Sequence, residues 1–172
     1  MAIHRLNHAV LYVRDVARSV AFYRDVLGFE VINKIGAQAA FLRAPDSTND
    51  HDLGLFGIGA QAADSPAGRS AVGLYHLAWE VDTLADLEAL AVALAEHGAL
   101  AGASDHSTTK SLYAHDPDGL EFEVAWIVPA ALIDEAAVAG RSSIQPLDLA
   151  REIERYGAHT HGGVGVSRVL AG

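Results

Sequence analysis

Leu112-Tyr-Ala-His-Asp-Pro-Asp-Gly-Leu-Glu-Phe-Glu-Val124 is the most informative stretch of the chain. Pro117 and Gly119, inside Asp-Pro-Asp-Gly, are turn formers, because proline presets φ at one turn position and glycine accepts positive φ. Leu120 to Val128 then reads as a strand bounded by Pro129. Alternation puts Leu120, Phe122 and Val124 on one face and Glu121 and Glu123 on the other. Two carboxylates on a strand otherwise built of apolar residues mean either a solvated face or a site. Carboxylates are seldom buried without partners, so taken alone this strand favours the solvated face.

Upstream, one pattern occurs twice. Arg5 to Val13 reads as a strand, Asp15 as the N-cap of a helix running to about Leu27, and Gly28 as its C-terminal glycine. Val16, Val20, Tyr23, Val26 and Leu27 form that helix's apolar stripe. Short strands follow at Phe29 to Lys34, Ala39 to Leu42 and Asp52 to Ile58. After a small, polar linker, Gly59 to Ser70, Leu74 to Val81 is again a strand, and Asp82 or Thr83 caps a helix through Glu96. Gly98 closes it, and strands at Leu100 to Ser104, Ser111 to His115 and Leu120 to Val128 complete the second copy. His8 and His76 stand at matching places, 76 − 8 = 68 residues apart. This is an internal duplication of a β-α-β-β-β unit, and two such units would bury their sheets by packing into one curved surface. The expected organisation is a first module at 1–60, a second at 71–128 and a helical tail at 129–172, within one structural domain. In the tail, Ala130 to Val138 and Pro146 to Tyr156 read as helices, the second with proline in its first turn and Gly157 at its end. Gly162-Gly163 and the residues beyond read as loose.

Composition limits the chemistry. With 172 residues, 51% of them hydrophobic, the chain can bury a proper core. It has no cysteine, which excludes disulfides, thiolate metal sites and a cysteine nucleophile. A net charge of −10 offers no basic footprint for nucleic acid or an anionic membrane. The N-terminus lacks signal-peptide architecture and no apolar run reaches transmembrane length, so a cytoplasmic protein is expected. The nine histidines and the carboxylates are the resource that remains.

His8, His76 and Glu123 stand out together. Singly, a strand histidine is more often a satisfied core or edge residue than a ligand. The repeat, however, places His8 and His76 at equivalent points of two related sheets, and Glu123 adds a carboxylate from the last strand of the second. Two imidazoles and one carboxylate form the facial triad that holds non-haem Fe(II) with positions open for substrate and dioxygen. Mn(II) suits the same donors, and Zn(II) is the least expected of the three. Glu121 shares the face of Glu123 and is the alternative carboxylate. His4, His97 and His115 read as surface residues; His159 and His161 form an H-x-H pair in the tail, open to metal binding or to covering a pocket.

These residues also carry a resemblance. Asn7-His-Ala-Val-Leu-Tyr-Val-Arg-Asp15 with Ser19, Phe22-Tyr23 and Leu27-Gly28-Phe29 resembles the first unit of the vicinal oxygen chelate superfamily. Gly73-Leu-Tyr-His-Leu-Ala-Trp-Glu-Val81 and Leu112 to Glu123 resemble its second unit. That superfamily includes glyoxalase I, bleomycin-resistance proteins, fosfomycin-resistance enzymes and extradiol ring-cleaving dioxygenases. The resemblance covers about residues 4 to 128. It implies an α+β fold, with two tandem βαβββ modules forming a curved mixed sheet around a metal site, plus the helical tail.

Three further matches are similar to the catechol 2,3-dioxygenase-like branch. Tyr113 stands ten residues before Glu123, where that branch carries a tyrosine that hydrogen-bonds the substrate oxygen. Asp105-His106 resembles its histidine near the substrate, and His51-Asp-Leu-Gly-Leu-Phe56 resembles the strand bearing its acid/base histidine. The resemblance thus implies His8, His76 and Glu123 as metal ligands and His51, His106 and Tyr113 as catalytic residues. The implied partners are a small catechol-like aromatic and O2, with Fe(II) as cofactor and a homodimer as the assembly. Two features depart from the pattern: Leu120 replaces the usual polar residue after the turn glycine, and His51 and His76 are 25 residues apart.

Other activities of the superfamily fit less well. Glyoxalase and epimerase members use a fourth, carboxylate-type ligand at the end of the first unit, where this chain reads Leu53-Gly-Leu-Phe-Gly-Ile58. Fosfomycin-type transfer needs cationic side chains around a phosphonate, and the only lysines are Lys34 and Lys110. A metal-free binding or resistance protein would not require the two histidines and the glutamate.

Overall fold

The computed structural model describes residues 3, 5–68 and 70–163. It divides into two compact units, the first comprising Met1–Pro66 with Asp116–Gly119 and the second Ala67–His115 with Leu120–Gly172. His4 and the tail beyond Gly163 lie outside the described residues.

The first unit contains β1 (Ala9–Val13), α1 (Val16–Asp25), β2 (Glu30–Ile35), β3 (Ala39–Arg43) and β4 (Leu53–Gly57). They form a four-stranded mixed sheet in the order β1-β4-β3-β2. β1 runs parallel to β4, and β3 is antiparallel to both β4 and β2. Alternation decides the faces: Leu11, Val13, Leu42, Leu53 and Leu55 are buried with Val16, Val20 and Tyr23 of α1. Val10, Tyr12 and Ile58 stay exposed. The helix starts where the sequence predicts, since the Asp15 carboxylate accepts from the Arg18 N–H at 2.9 Å. Gly57 lets α1 approach closely, since a Cβ there would stand 3.0 Å from a Val16 methyl.

The Asp-Pro-Asp-Gly turn belongs to this unit. Gly119 has φ +83°, and its N–H donates to the Asp116 carbonyl at 2.9 Å. Asp118 accepts from the Arg14 backbone N–H at 3.0 Å and from its guanidinium at 3.1 Å, and it also pairs with Arg18. Tyr23 donates its hydroxyl to Asp116 at 3.3 Å. Burial pushes the Tyr23 phenol well above the ordinary tyrosine value, and the charge of Asp116 adds to this.

The second unit repeats the order: β5 (Leu77–Glu80), α2 (Leu84–Glu96), β6 (Leu100–Asp105), β7 (Thr109–His115) and β8 (Glu121–Ile127). It continues with a 3₁₀ turn (Ala130–Leu132), α3 (Glu135–Gly140), β9 (Gln145–Pro146) and α4 (Leu149–Tyr156). The five-stranded sheet has the order β5-β8-β7-β6-β9. β5 lies parallel to β8 as β1 does to β4. Thr83 and Asp86 form a reciprocal capping box that starts α2. Leu84, Leu87 and Leu94 of α2 are fully buried, as are Ala114 and Trp126 of the sheet; each such leucine contributes about 1.5–3 kcal/mol.

Several sequence expectations need correction. The strands at Arg5–Val13 and Leu74–Val81 begin later, at Ala9 and Leu77, because the ladders' first rungs are Ala9 against Leu53 and Leu77 against Phe122. His8 and His76 therefore precede their strands by one residue. Pro146 does not open the last helix. It lies in edge strand β9, where a missing N–H is tolerated, and Asp148 caps α4 by accepting from Arg151 N–H. The expected helix Ala130–Val138 is split, because Asp134 accepts from Ala137 N–H and starts α3 afresh. Gly162 and Gly163 are not loose: their N–H groups donate to the carbonyls of Asp82 and Ile127. A Cβ on Gly163 would stand 2.7 Å from Pro129 Cα.

Candidate functional site

In the second unit the sheet face opposite the buried leucines gathers most of the sequence-predicted site. Register pairs Tyr113 with Glu123 and His115 with Glu121, so all four point to one side. Phe122 and Val124 are buried on the other side. His76, just before β5, faces both carboxylates: its Nε2 lies 3.1 Å from Glu123 Oε2 and its Nδ1 3.7 Å from Glu121 Oε1. That Nδ1 is buried and makes no hydrogen bond. The ring of Tyr75 meets that of His76 at a tilt, with centroids 4.6 Å apart. His115 reaches Glu121 Oε2 at 3.9 Å from a half-exposed position.

His106 and Tyr113 also meet, with His106 Nε2 2.8 Å from the Tyr113 hydroxyl. Burial raises the Tyr113 phenol above its ordinary value, the negative charge of Glu123 adds to this, and hydrogen bonding with Ser111 opposes it. The phenol thus remains a proton donor throughout the neutral range. Ser111 donates to Glu123 Oε1 at 2.5 Å.

In the first unit His8 and His51 are neighbours, their ring centroids 4.6 Å apart, and Phe41 meets His51 edge-on at 5.1 Å. His8 Nδ1 lies 2.7 Å from Asn7 Oδ1, and His51 Nδ1 3.0 Å from Asp50. The loop before β4 is tied together by Asp52, which accepts from Ala44 N–H (2.9 Å), Ser47 Oγ (2.8 Å) and Asn49 Nδ2 (2.6 Å). Burial pushes the Asp52 carboxyl up, but these donors outweigh it and hold the group below its usual value. Asn49 also donates to the Asn7 carbonyl at 2.8 Å, fixing the residue before His8.

The structure thus forms three pairs from the six predicted residues: His76 with Glu123, His106 with Tyr113, and His8 with His51. Among the described residues, no group of three or more His, Asp or Glu side chains is placed to hold a metal ion. His76 and Glu123 nevertheless suit adjacent donors, because ligands bound about 2.1 Å from a metal at right angles stand about 3 Å apart. Two carboxylates beside one imidazole, with no Lys or Arg among their ion-pair partners in the described residues, also favour a cation. His97 caps α2 and His161 sits 3.7 Å from Asp82, both exposed, and His159 is exposed as well.

Sequence reasoning missed Ser111, Asn49 and Asp52 as supports of these pairs. A signal existed for Ser111, since two-residue spacing from Tyr113 puts it on the same face as Glu123. For Asn49 and Asp52 the loop gave none.

Comparison with known proteins agrees with this architecture. A family model described as the Glyoxalase/Bleomycin resistance protein/Dioxygenase superfamily matches residues 5–124. The chain is 35% identical over 122 residues to a catechol-2,3-dioxygenase of Bacillus subtilis (strain 168), covering 69% of this chain and 40% of that protein. It is 27% identical over 130 residues to a manganese-dependent 2,3-dihydroxybiphenyl 1,2-dioxygenase of Geobacillus genomosp. 3, covering 73% and 38%. The chain spans about two-fifths of the length of these two relatives. A glyoxalase/dioxygenase crystal structure from Nostoc punctiforme shares the fold, with a TM-score of 0.58 at 23% identity over 70% of this chain and 89% of that one. The family match spans both βαβββ units, and the chain belongs to the glyoxalase/bleomycin resistance protein/dioxygenase superfamily.

Proposed function

We propose that the chain is a divalent-metal-dependent, extradiol-type dioxygenase that cleaves the ring of a catechol-like aromatic with O2. The observation that carries this reading is the His76–Glu123 pair at 3.1 Å, on a face shared with Tyr113 and, through Tyr113, with His106. The names of the two dioxygenase relatives support it. His76 and Glu123 would hold the metal in the second unit. Fe(II) is the first choice for a facial triad with open positions; Mn(II) is the second, supported by the manganese-dependent relative.

Bound there, the metal would supply a Lewis-acidic, redox-capable centre for diol and dioxygen together. The chain's own groups do the rest. Tyr113, kept protonated, donates a hydrogen bond to a substrate oxygen. His106 orients that phenol through the 2.8 Å contact. In the first unit, His51 is the acid/base histidine that the family resemblance implies. The open face of β4 carries Gly54 and Phe56 and no acid, so it offers no fourth carboxylate ligand of the glyoxalase kind.

The test is reconstitution of metal-free protein with Fe(II), Mn(II) or Zn(II) under anaerobic conditions, followed by substituted catechols in air. The expected result is O2 uptake matched by a yellow ring-cleavage product with Fe(II) or Mn(II), and none with redox-inert Zn(II). Metal-loaded protein that consumes neither O2 nor any catechol would overturn the reading.

A further inference from the structure

Ser111 is 0% exposed, yet it is not part of the apolar core. On β7 Lys110, Leu112 and Ala114 point to the buried side, opposite Trp126, Val124 and Phe122. Ser111 therefore turns with Tyr113 to the open face. A buried hydroxyl without a partner costs about 1–3 kcal/mol, so what it meets there matters. It donates to Glu123 Oε1 at 2.5 Å, while the other carboxylate oxygen, Oε2, lies 3.1 Å from His76 Nε2. The two oxygens of one carboxylate thus have separate partners.

The choice of donor is informative. A lysine or arginine at this place would neutralise Glu123 and compete with a cation for it. A hydroxyl restrains the side chain and leaves its full negative charge. Ser111 is not itself a metal-ligand type suited to soft or borderline cations, and its hydroxyl meets both Glu123 Oε1 and the Tyr113 phenol.

We propose that Ser111 is a positioning residue, whose hydroxyl holds Oε1 of Glu123 so that Oε2 alone is presented to a divalent cation beside Nε2 of His76. This rests on the metal reading proposed above. Partners of this outer kind typically change metal affinity by about 10–100-fold.

The experiment is titration of metal-free protein with Mn(II), followed by calorimetry and by the loss of the free-ion electron paramagnetic resonance signal. Wild type, Ser111→Ala and Ser111→Thr are compared, with the melting temperature of each metal-free protein measured alongside. The expected result is a Kd raised about 10–100-fold in Ser111→Ala and returned towards wild type in Ser111→Thr, which keeps the donor. A merely structural serine would lower the melting temperature of Ser111→Ala and leave its Mn(II) affinity unchanged; that outcome overturns the role of Ser111 alone. Wild-type protein that takes up no Mn(II) defeats the metal reading, and the Ser111 proposal with it.

Discussion

His76 Nε2 lies 3.1 Å from Glu123 Oε2, while His76 Nδ1 lies 3.7 Å from Glu121 Oε1. One imidazole thus stands between two carboxylates of the same strand face. A histidine that binds metal through one nitrogen commonly gives the other to a carboxylate, which fixes its tautomer. With Glu123 as ligand, Glu121 is the carboxylate nearest that second nitrogen, at 3.7 Å and without a hydrogen bond. Glu121→Gln is expected to weaken Mn(II) binding about tenfold, and Glu123→Gln by about a hundredfold or more. Calorimetric titration checks the ranking, and the reverse order would make Glu121 the ligand.

His106 and Tyr113 form a donor pair on the same face, 2.8 Å apart. Tyr113→Phe and His106→Ala are expected to lower turnover about 10²–10⁴-fold, the range for a positioned proton donor or acceptor. Their Mn(II) affinity should stay within about threefold of wild type, because neither residue is a ligand in this scheme. Steady-state kinetics paired with metal titration separates the two effects.

The C-terminal segment is built into the second unit by a buried charge. Lys110, 1% exposed, lies 2.6 Å from Asp105 and 2.9 Å from Glu152 of α4, itself 4% exposed. Removing the cation strands the buried Glu152 carboxylate, which costs about 3–5 kcal/mol. Lys110→Met should lose that much stability in urea unfolding, and Lys110→Met/Glu152→Leu should recover a large part of it. Trp126 fluorescence is a suitable probe, since the Tyr156 ring lies 5.5 Å away. Equal loss in the single and double variants would mean that the ion pair is not what holds α4.

Tyr23 gives a pH prediction. Its phenol is held above the ordinary tyrosine value by burial and by Asp116. On raising the pH the unfolded chain releases this proton first, so it binds fewer protons than the native state. Stability therefore falls as pH climbs past the ordinary tyrosine range. Tyr23→Phe should flatten that alkaline decline, although it loses the 3.3 Å hydrogen bond at neutral pH. Urea midpoints measured from neutral pH to about pH 11 test this, and an unchanged alkaline slope would contradict it.

Much of this architecture is legible in the sequence. The duplication follows from His8 and His76, from the Asp15 and Thr83 caps, and from the glycines closing each helix. Alternation along Leu120–Val128 correctly divides Phe122 and Val124 from Glu121 and Glu123. What the sequence hides is set by distant partners. Pro146 looks like a helix start until β6 pairs with it, and nothing near Lys110 in the sequence announces its partner Glu152 on α4. The acids of Asp-Pro-Asp-Gly read only as turn residues, yet Asp118 binds Arg14 and Arg18, some hundred residues earlier. Turn chemistry is local, and these ion pairs are not.

The central proposal, a divalent ion held by His76 and Glu123, is tested most directly by metal stoichiometry. Metal-free wild type, His76→Ala and Glu123→Ala are each titrated with Mn(II). The predicted result is one ion per wild-type chain and a Kd about a hundredfold higher or more in each variant. No saturable binding by wild type, or unchanged binding after loss of His76 and Glu123, would contradict it.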